Sequence, residues 1–180
     1  PVYDIGAALV LGTLLGGGSS FSQGGPGKGI QSRLYQKVVN THHWVETARC
    51  LPDLSSGTLS FLGSALPGRT KDLAMLMLEE LATIAVSGGS GVTDAELQRA
   101  KSVAESTVAM ALEQLAFRCD DMGRQMLLRG QWVSPSQLSE AISKVSAAEL
   151  VQVAEKALTV AQGPSFAVIE HVPTSQSWLQ

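Results

Sequence analysis

The chain has 180 residues and a formal net charge of −3, a length that suits one domain with a sizeable core. Hydrophobic residues make up 44%, which excludes a disordered chain, and the longest apolar run, residues 5–15, is too short to span a membrane. The acidic balance predicts no general nucleic-acid surface, and two cysteines without metal-ligand spacing suit a reducing compartment. Nine of the 18 glycines fall within the first 30 residues, so we expect a folded domain with one unusual loop.

The first third of the chain predicts a helix, a loop, a second helix and a hairpin. An apolar stretch at residues 4–15 predicts a buried helix that ends at three consecutive glycines. A glycine-rich loop follows at residues 16–29, and helical spacing of apolar residues resumes at residues 30–40. Residues 45–51 and 58–66 have strand composition and flank a turn segment, so we expect an antiparallel pair.

The next part of the chain predicts a run of helices. Apolar residues at intervals of three and four indicate a helix from Thr70 on. Capping boxes at Thr93 and Ser146, in which a glutamate three residues on reaches back to the helix start, indicate two more. Further helices are expected at residues 120–128 and after Ser134. The inward side of the long helix after Thr93 is predicted to carry Leu97, Ala100, Ala104, Val108, Ala111, Leu112 and Leu115.

A closing strand is predicted at residues 165–170, and the element order then gives an α+β fold. In this fold a mainly antiparallel sheet is covered by helices on one side. Three strands are few for a sheet that carries so many helices. We therefore expect the chain to be incomplete, with its sheet finished by another segment or another chain.

The glycine-rich loop is open to several interpretations. Its spacing disfavours a phosphate-binding loop: Gly27-Lys28 matches the GK of that motif, but Ser22 replaces the upstream glycine and Gly29 the hydroxyl residue. A flexible connector between two helices is a second interpretation. A peptide-contacting loop is the third, because long loops in compact domains are often binding loops and glycine permits close approach of another backbone.

Histidines raise the question of a metal site. His43 and Glu46 match the start of the inverted zinc-peptidase motif HxxEH, but Thr47 stands where the second histidine is needed. The alternative, loop histidines beside the interface residue Trp44, fits the turn character of this segment better. The sequence shows no set of nucleophile, base and oxyanion donors either.

Three stretches occur in the order found in a known family: LLGGGSSFSQGGPGKGIQSRLY at residues 14–35, LQRAK at residues 97–101 and DMGRQ at residues 121–125. In these stretches the chain resembles the alpha-type subunits of the pitrilysin-like (M16) zinc peptidases. That family includes the mitochondrial processing peptidases and the core proteins of the cytochrome bc1 complex. The resemblance runs over almost the whole chain, and the loop is typical of the alpha type.

The resemblance implies that residues 1–180 form a single C-terminal domain, a pitrilysin-like half-domain without its first strand or strands. Another chain or segment would supply the N-terminal half, as in a split subunit. The chain would not be an enzyme on its own: the resemblance implies no catalytic residue, no metal and no cofactor in it. Zinc is expected only in a beta-type partner, which carries the intact HxxEH motif.

For function, the resemblance implies a matrix-side core subunit of complex III at the mitochondrial inner membrane, without a membrane span of its own. Its expected partners are the beta-type subunit, other complex III subunits and presequence peptides, and not nucleic acid. The expected presequence-binding residues are Gly16, Gly17, Gly18, Ser19, Phe21, Gly24, Gly25, Pro26, Gly27, Lys28 and Gly29. A purely structural core subunit with a relic loop is the alternative, and an independent enzyme is a third hypothesis.

Overall fold

The computed structural model describes residues 2–17, 29–53, 57–86, 88, 91–159 and 164–169, the side chains of residues 2 and 3 excepted. Within these ranges the strands are β1 (Val45–Asp53) and β2 (Thr58–Ala65). The helices are α1 (Val2–Leu15), a π-helix (Leu34–Val39), α2 (Thr70–Val86), α3 (Asp94–Glu113), α4 (Leu115–Arg129), α5 (Pro135–Lys144) and α6 (Ala147–Leu158). Helices thus dominate the fold, and one antiparallel strand pair accompanies them.

The predicted hairpin is confirmed. Its register runs from Asp53 opposite Thr58 to Val45 opposite Ala65, with one irregularity between Val45 and Thr47. The buried side chains of β1 are Val45, Ala48 and Cys50. Ala48 and Cys50 alternate as expected for a strand with one face on a core, and the irregularity between Val45 and Thr47 shifts Val45 out of this alternation. Leu34 of the π-helix is fully buried, and this short helix packs on β1.

The core is organised around α1. This helix packs against β1, α3, α5 and α6, and its side chains at Val10, Leu11 and Leu15 are completely buried. Its apolar residues occur all round the helix, which is typical of a helix enclosed by other elements. Gly12 permits the approach of β1, because a Cβ atom there would lie 2.5 Å from Cδ of Pro52.

The α+β class is confirmed, but the predicted closing strand is wrong. Residues 164–169 are irregular and exposed, and residue 170 lies outside the described residues. The alternation of Phe166 and Val168 matches a strand, yet a strand also needs a neighbour to satisfy its backbone hydrogen bonds. In the described part of the chain the sheet consists of β1 and β2 alone.

The helices differ from the predicted ones at two places. The second helix is a π-helix over Leu34–Val39 instead of an α-helix over residues 30–40. The long helix ends at Glu113, because Gln114 adopts an extended backbone with ψ of 115°. Leu115 therefore begins α4 and is 77% exposed, so its predicted inward position is wrong.

Capping explains the starts of the last helices. Ser134 and Ser146 form complete capping boxes with Gln137 and Glu149, and the box predicted at Ser146 is confirmed. At α3 the Thr93 hydroxyl accepts the amide of Glu96, but the Glu96 carboxylate is hydrogen-bonded to Arg33 instead of completing a box.

Helix α4 carries a large exposed apolar surface. None of its residues is buried, although its sequence is amphipathic. The exposed large apolar side chains of this helix are Leu115, Phe117, Met122, Met126, Leu127 and Leu128. Such a patch is typical of a surface that is covered in an assembly. Within the described ranges no helix combines the length and apolarity required for a membrane crossing.

We expect the isolated chain to self-associate, because it exposes the apolar side of α4 and the edges of a two-stranded sheet. Leu127→Glu places a charge at a side chain that is 88% exposed and should raise the monomer fraction in size-exclusion chromatography with light scattering. Ser106→Glu adds the same charge to an exposed polar position of α3 and should leave self-association unchanged. A cooperative melt of a fully monomeric wild-type chain would contradict this expectation.

Candidate functional site

The structure describes both ends of the predicted glycine-rich loop. Gly16 and Gly17 lie at its N-terminal end and Gly29 at its C-terminal end. The predicted binding residues between them lie outside the described residues: Gly18, Ser19, Phe21, Gly24, Gly25, Pro26, Gly27 and Lys28. The peptide-binding role of all eleven positions stays a prediction, and the described ends show how the fold holds the loop.

The N-terminal end of the loop is held between α1 and β1. The amides of Gly16 and Gly17 both donate to the carbonyl of Gly12, at 2.9 and 2.6 Å, and so close the last turn of α1. The Gly16 carbonyl accepts the amide of Cys50 at 3.4 Å. A Cβ atom at Gly16 would lie 2.9 Å from Cδ1 of Leu34, so only glycine fits there without a shift of its neighbours.

The C-terminal end of the loop is held by Ser32. The Ser32 amide and hydroxyl both donate to the carbonyl of Gly29, at 3.2 and 2.8 Å, and Ser32 is buried. The π-helix starts two residues later with Leu34, whose side chain touches Gly16 at the other end of the loop. The buried Leu34 therefore links the segment that follows the loop to the N-terminal end of the loop.

Arg33 connects the C-terminal end of the loop to α3. Its Nε donates to Oε1 of Glu96 at 2.6 Å and its Nη2 to Oε2 at 3.0 Å, a bidentate pair, and Nη2 also donates to the carbonyl of Gly91. The Arg33 side chain is only 6% exposed. Its buried Nη1 has no hydrogen-bond partner among the described residues.

The surroundings of the Glu96 carboxyl group determine its pKa. Burial by itself would raise the pKa of the Glu96 carboxyl, but the hydrogen bonds and the charge of Arg33 outweigh it and lower the pKa below its ordinary value. Lys37, which pairs with Glu80 of α2 at 2.8 Å, adds to the lowering. Glu96 is therefore a carboxylate at neutral pH.

A shallow polar cleft of about 350 Å³ opens beside the Arg33–Glu96 pair. Its lining side chains carry three cations, one carboxylate and three neutral hydrogen-bonding groups, and the backbone of one glycine completes it. The lining residues are Gln31, Arg33, Gln36, Lys37, Gly91, Thr93, Glu96 and Arg99. Such a surface can hydrogen-bond peptide groups, and it holds no hydroxyl–base or thiol–base pair that would support nucleophilic catalysis.

The other candidates have structural roles in the described residues. His42 donates a hydrogen bond from Nδ1 to the carbonyl of Val38 at 3.1 Å and packs edge-on against Trp44, with 5.3 Å between the ring centroids. This matches the interpretation of loop histidines beside a tryptophan. Burial raises the pKa of the Cys50 thiol to about 12, so it stays protonated and unreactive. No group of three metal-ligating side chains occurs in the described ranges.

Comparison with known proteins decides the family. Residues 1–103, more than half of the chain, match the family described as the peptidase M16 inactive domain. The chain belongs to the peptidase M16 family. The mitochondrial-processing peptidase subunit alpha of Neurospora crassa is 37% identical over 156 residues, which are 85% of this chain and 27% of that protein. The chain thus spans less than a third of the length of this M16 relative.

Solved structures agree with the M16 fold. A conserved protein from Enterococcus faecalis superposes on 85% of this chain with a TM-score of 0.67 at 17% identity. The superposed part makes up 33% of that protein. A chain in a structure of complex III2 from Candida albicans, with Inz-5 bound, superposes on 86% of this chain with a TM-score of 0.62 at 18% identity. The superposed part makes up 36% of the Candida chain. At these identities the likeness concerns the fold.

Sequence reasoning missed the Arg33–Glu96 pair. The sequence places Glu96 in the capping box at Thr93 and shows no partner for Arg33. The two residues are 63 positions apart, and nothing in one sequence indicates that they meet. The usable signal was the position of Arg33 directly after a loop whose ends must be held.

We expect Gly16→Ala to lower the free energy of unfolding by about 1–3 kcal/mol, because its Cβ would overlap Leu34 and the Cys50 amide. Urea unfolding under conditions in which the chain is monomeric measures this loss. Gly123→Ala is the matched control: a Cβ there meets nothing within 4 Å, and alanine is favoured over glycine inside a helix. Equal stability of Gly16→Ala and the wild type would contradict the packing described for this end of the loop.

The Arg33–Glu96 pair predicts a pH dependence of stability. Because the pKa of Glu96 is lowered in the folded state, its contribution is present above the ordinary glutamate value of about 4.3 and is lost as the pH falls through the lowered pKa. The difference in urea midpoint between the wild type and Glu96→Gln should therefore be largest at neutral pH and shrink in acid. Glu140→Gln, in an exposed pair with Lys144, is the control and should show a smaller difference throughout.

Proposed function

We propose that the chain is part of a non-catalytic alpha-type subunit of mitochondrial processing peptidase, and that its glycine-rich loop binds presequence peptides. The observation that carries this proposal is the 37% identity to the Neurospora alpha subunit over 156 residues of the chain. The match to the M16 inactive domain supports a subunit without catalysis of its own. The match covers 27% of the length of that relative, so the activity of a whole subunit belongs to the proposal.

The way in which the loop is held supports a binding role. Gly16 and Gly29 are both attached by backbone hydrogen bonds to buried elements, and Leu34 packs against Gly16. A connector between two helices needs far fewer than the 14 residues of this loop. A long glycine-rich loop whose ends are hydrogen-bonded into the fold can present backbone donors and acceptors to an extended peptide at low steric cost.

Catalysis in this proposal belongs to the partner. The thiol of Cys50 is buried and His42 is engaged with Val38, so neither offers a reactive group. We propose that a beta-type subunit holds the zinc ion and its HxxEH motif, and that this chain binds no metal or cofactor. The chain then contributes to peptide capture, and the chemistry takes place on the beta-type subunit.

The proposed location is the matrix side of the mitochondrial inner membrane, where the same pair of subunits would serve as core subunits of complex III. The fold likeness to a chain of the Candida albicans complex III2 structure supports this assembly. That observation also favours a second candidate, a purely structural core subunit that retains the loop as a relic. The exposed apolar surface of α4 suits burial within an assembly in either case.

Deletion of residues 24–29 in the assembled heterodimer separates the two candidates. If the loop binds presequences, the affinity for a fluorescent presequence peptide should fall about tenfold or more, which corresponds to about 1.4 kcal/mol. A variant in which these residues are replaced by six glycine and serine residues keeps the reach of the loop and tests whether its own sequence matters. Unchanged affinity after the deletion, in a heterodimer that still assembles, would leave only the structural role.

A further inference from the structure

Arg33 is a buried cation placed where the loop rejoins the fold. Its neighbour Ser32 holds the Gly29 carbonyl, and Arg33 itself bonds Glu96 with two nitrogens and the Gly91 carbonyl with one of them. The bidentate geometry allows only one orientation of the guanidinium relative to the carboxylate. The backbone just after the loop is thereby oriented relative to the start of α3.

Stability alone is a weak explanation for such a pair. Buried ion pairs commonly add little to stability, because removing both charges from water costs as much as their attraction returns. In addition, the buried Nη1 of Arg33 lacks a partner among the described residues, which is itself unfavourable. What a bidentate buried pair supplies is directional precision, and the π-helix that begins next to it is a rare element frequently found at functional sites.

We propose that Arg33 and Glu96 are positioning residues, which set the direction in which the loop leaves the fold and so orient it for peptide binding. Neither residue needs to touch the peptide. This proposal rests on the proposed function of the loop. It predicts that weakening the pair lowers peptide affinity only when the loop is present to transmit the effect.

The test is a double-mutant cycle in the assembled heterodimer. Arg33→Lys keeps the charge but removes the fork that bonds both oxygens of Glu96. In the heterodimer with an intact loop, we expect Arg33→Lys to lower the affinity for the presequence peptide about five- to tenfold. In the heterodimer that lacks residues 24–29, we expect the same substitution to lower it by less than about twofold. A purely structural role would lower the affinity by the same factor in both backgrounds.

Two further variants keep the test decisive. Glu96→Gln weakens the same pair from the α3 side and should repeat the effect of Arg33→Lys. Arg69→Lys is the matched control, since Arg69 makes an exposed pair with Asp72 and should leave peptide affinity unchanged in both backgrounds. Thermal melts of every heterodimer show whether a variant is folded at the temperature of the binding assay.

The outcomes separate the two proposals. If deletion of residues 24–29 leaves affinity unchanged, the proposed binding function of the loop fails, and the positioning role fails with it. If the deletion lowers affinity but Arg33→Lys and Glu96→Gln do not, the loop binds peptide and the positioning role alone is wrong. Equal losses with and without the loop would also overturn the positioning role.

Discussion

The rest of the structure depends on the burial of α1 among four other elements. Because Val10, Leu11 and Leu15 are completely enclosed, the C-terminal end of this helix is held rigidly against β1. The glycine-rich loop begins at that end, and Gly12 and Gly16 permit the close contacts with Pro52 and Leu34 that bring the strand and the π-helix into place. The loop thus leaves from the buried end of α1.

The second end of the loop is held by polar contacts instead of apolar burial. Ser32 holds Gly29, and Arg33 joins this segment to Glu96 at the start of α3. Hydrophobic contacts bring surfaces together without a preferred direction, whereas a bidentate ion pair selects one orientation. Leu34 packs against Gly16 at the N-terminal end, and the Arg33–Glu96 pair gives the segment after the C-terminal end a defined direction.

Much of the local structure could be predicted from the residues. The start of α6 was predicted from a hydroxyl at the N-cap and a glutamate three residues on, and the strand pair from β-type residues that flank a turn segment. These predictions succeed because capping and turn formation use neighbours in sequence. The strand predicted at residues 165–170 is absent from its described part, residues 165–169, because pairing needs a distant partner. The inward position of Leu115 failed because the helix breaks at Gln114.

The sequence by itself determined the α+β class, the glycine content of residues 16–29 and the resemblance to alpha-type M16 subunits. The family match and the 37% identity to the Neurospora alpha subunit bear out that resemblance. Only the tertiary structure decided that Glu96 pairs with Arg33 and that Gly16 is in contact with Leu34. The physical reason is sequence distance. Composition, periodicity and capping act over a few residues, whereas the partly buried ion pair between positions 33 and 96 exists only after the core has brought the π-helix and α3 together.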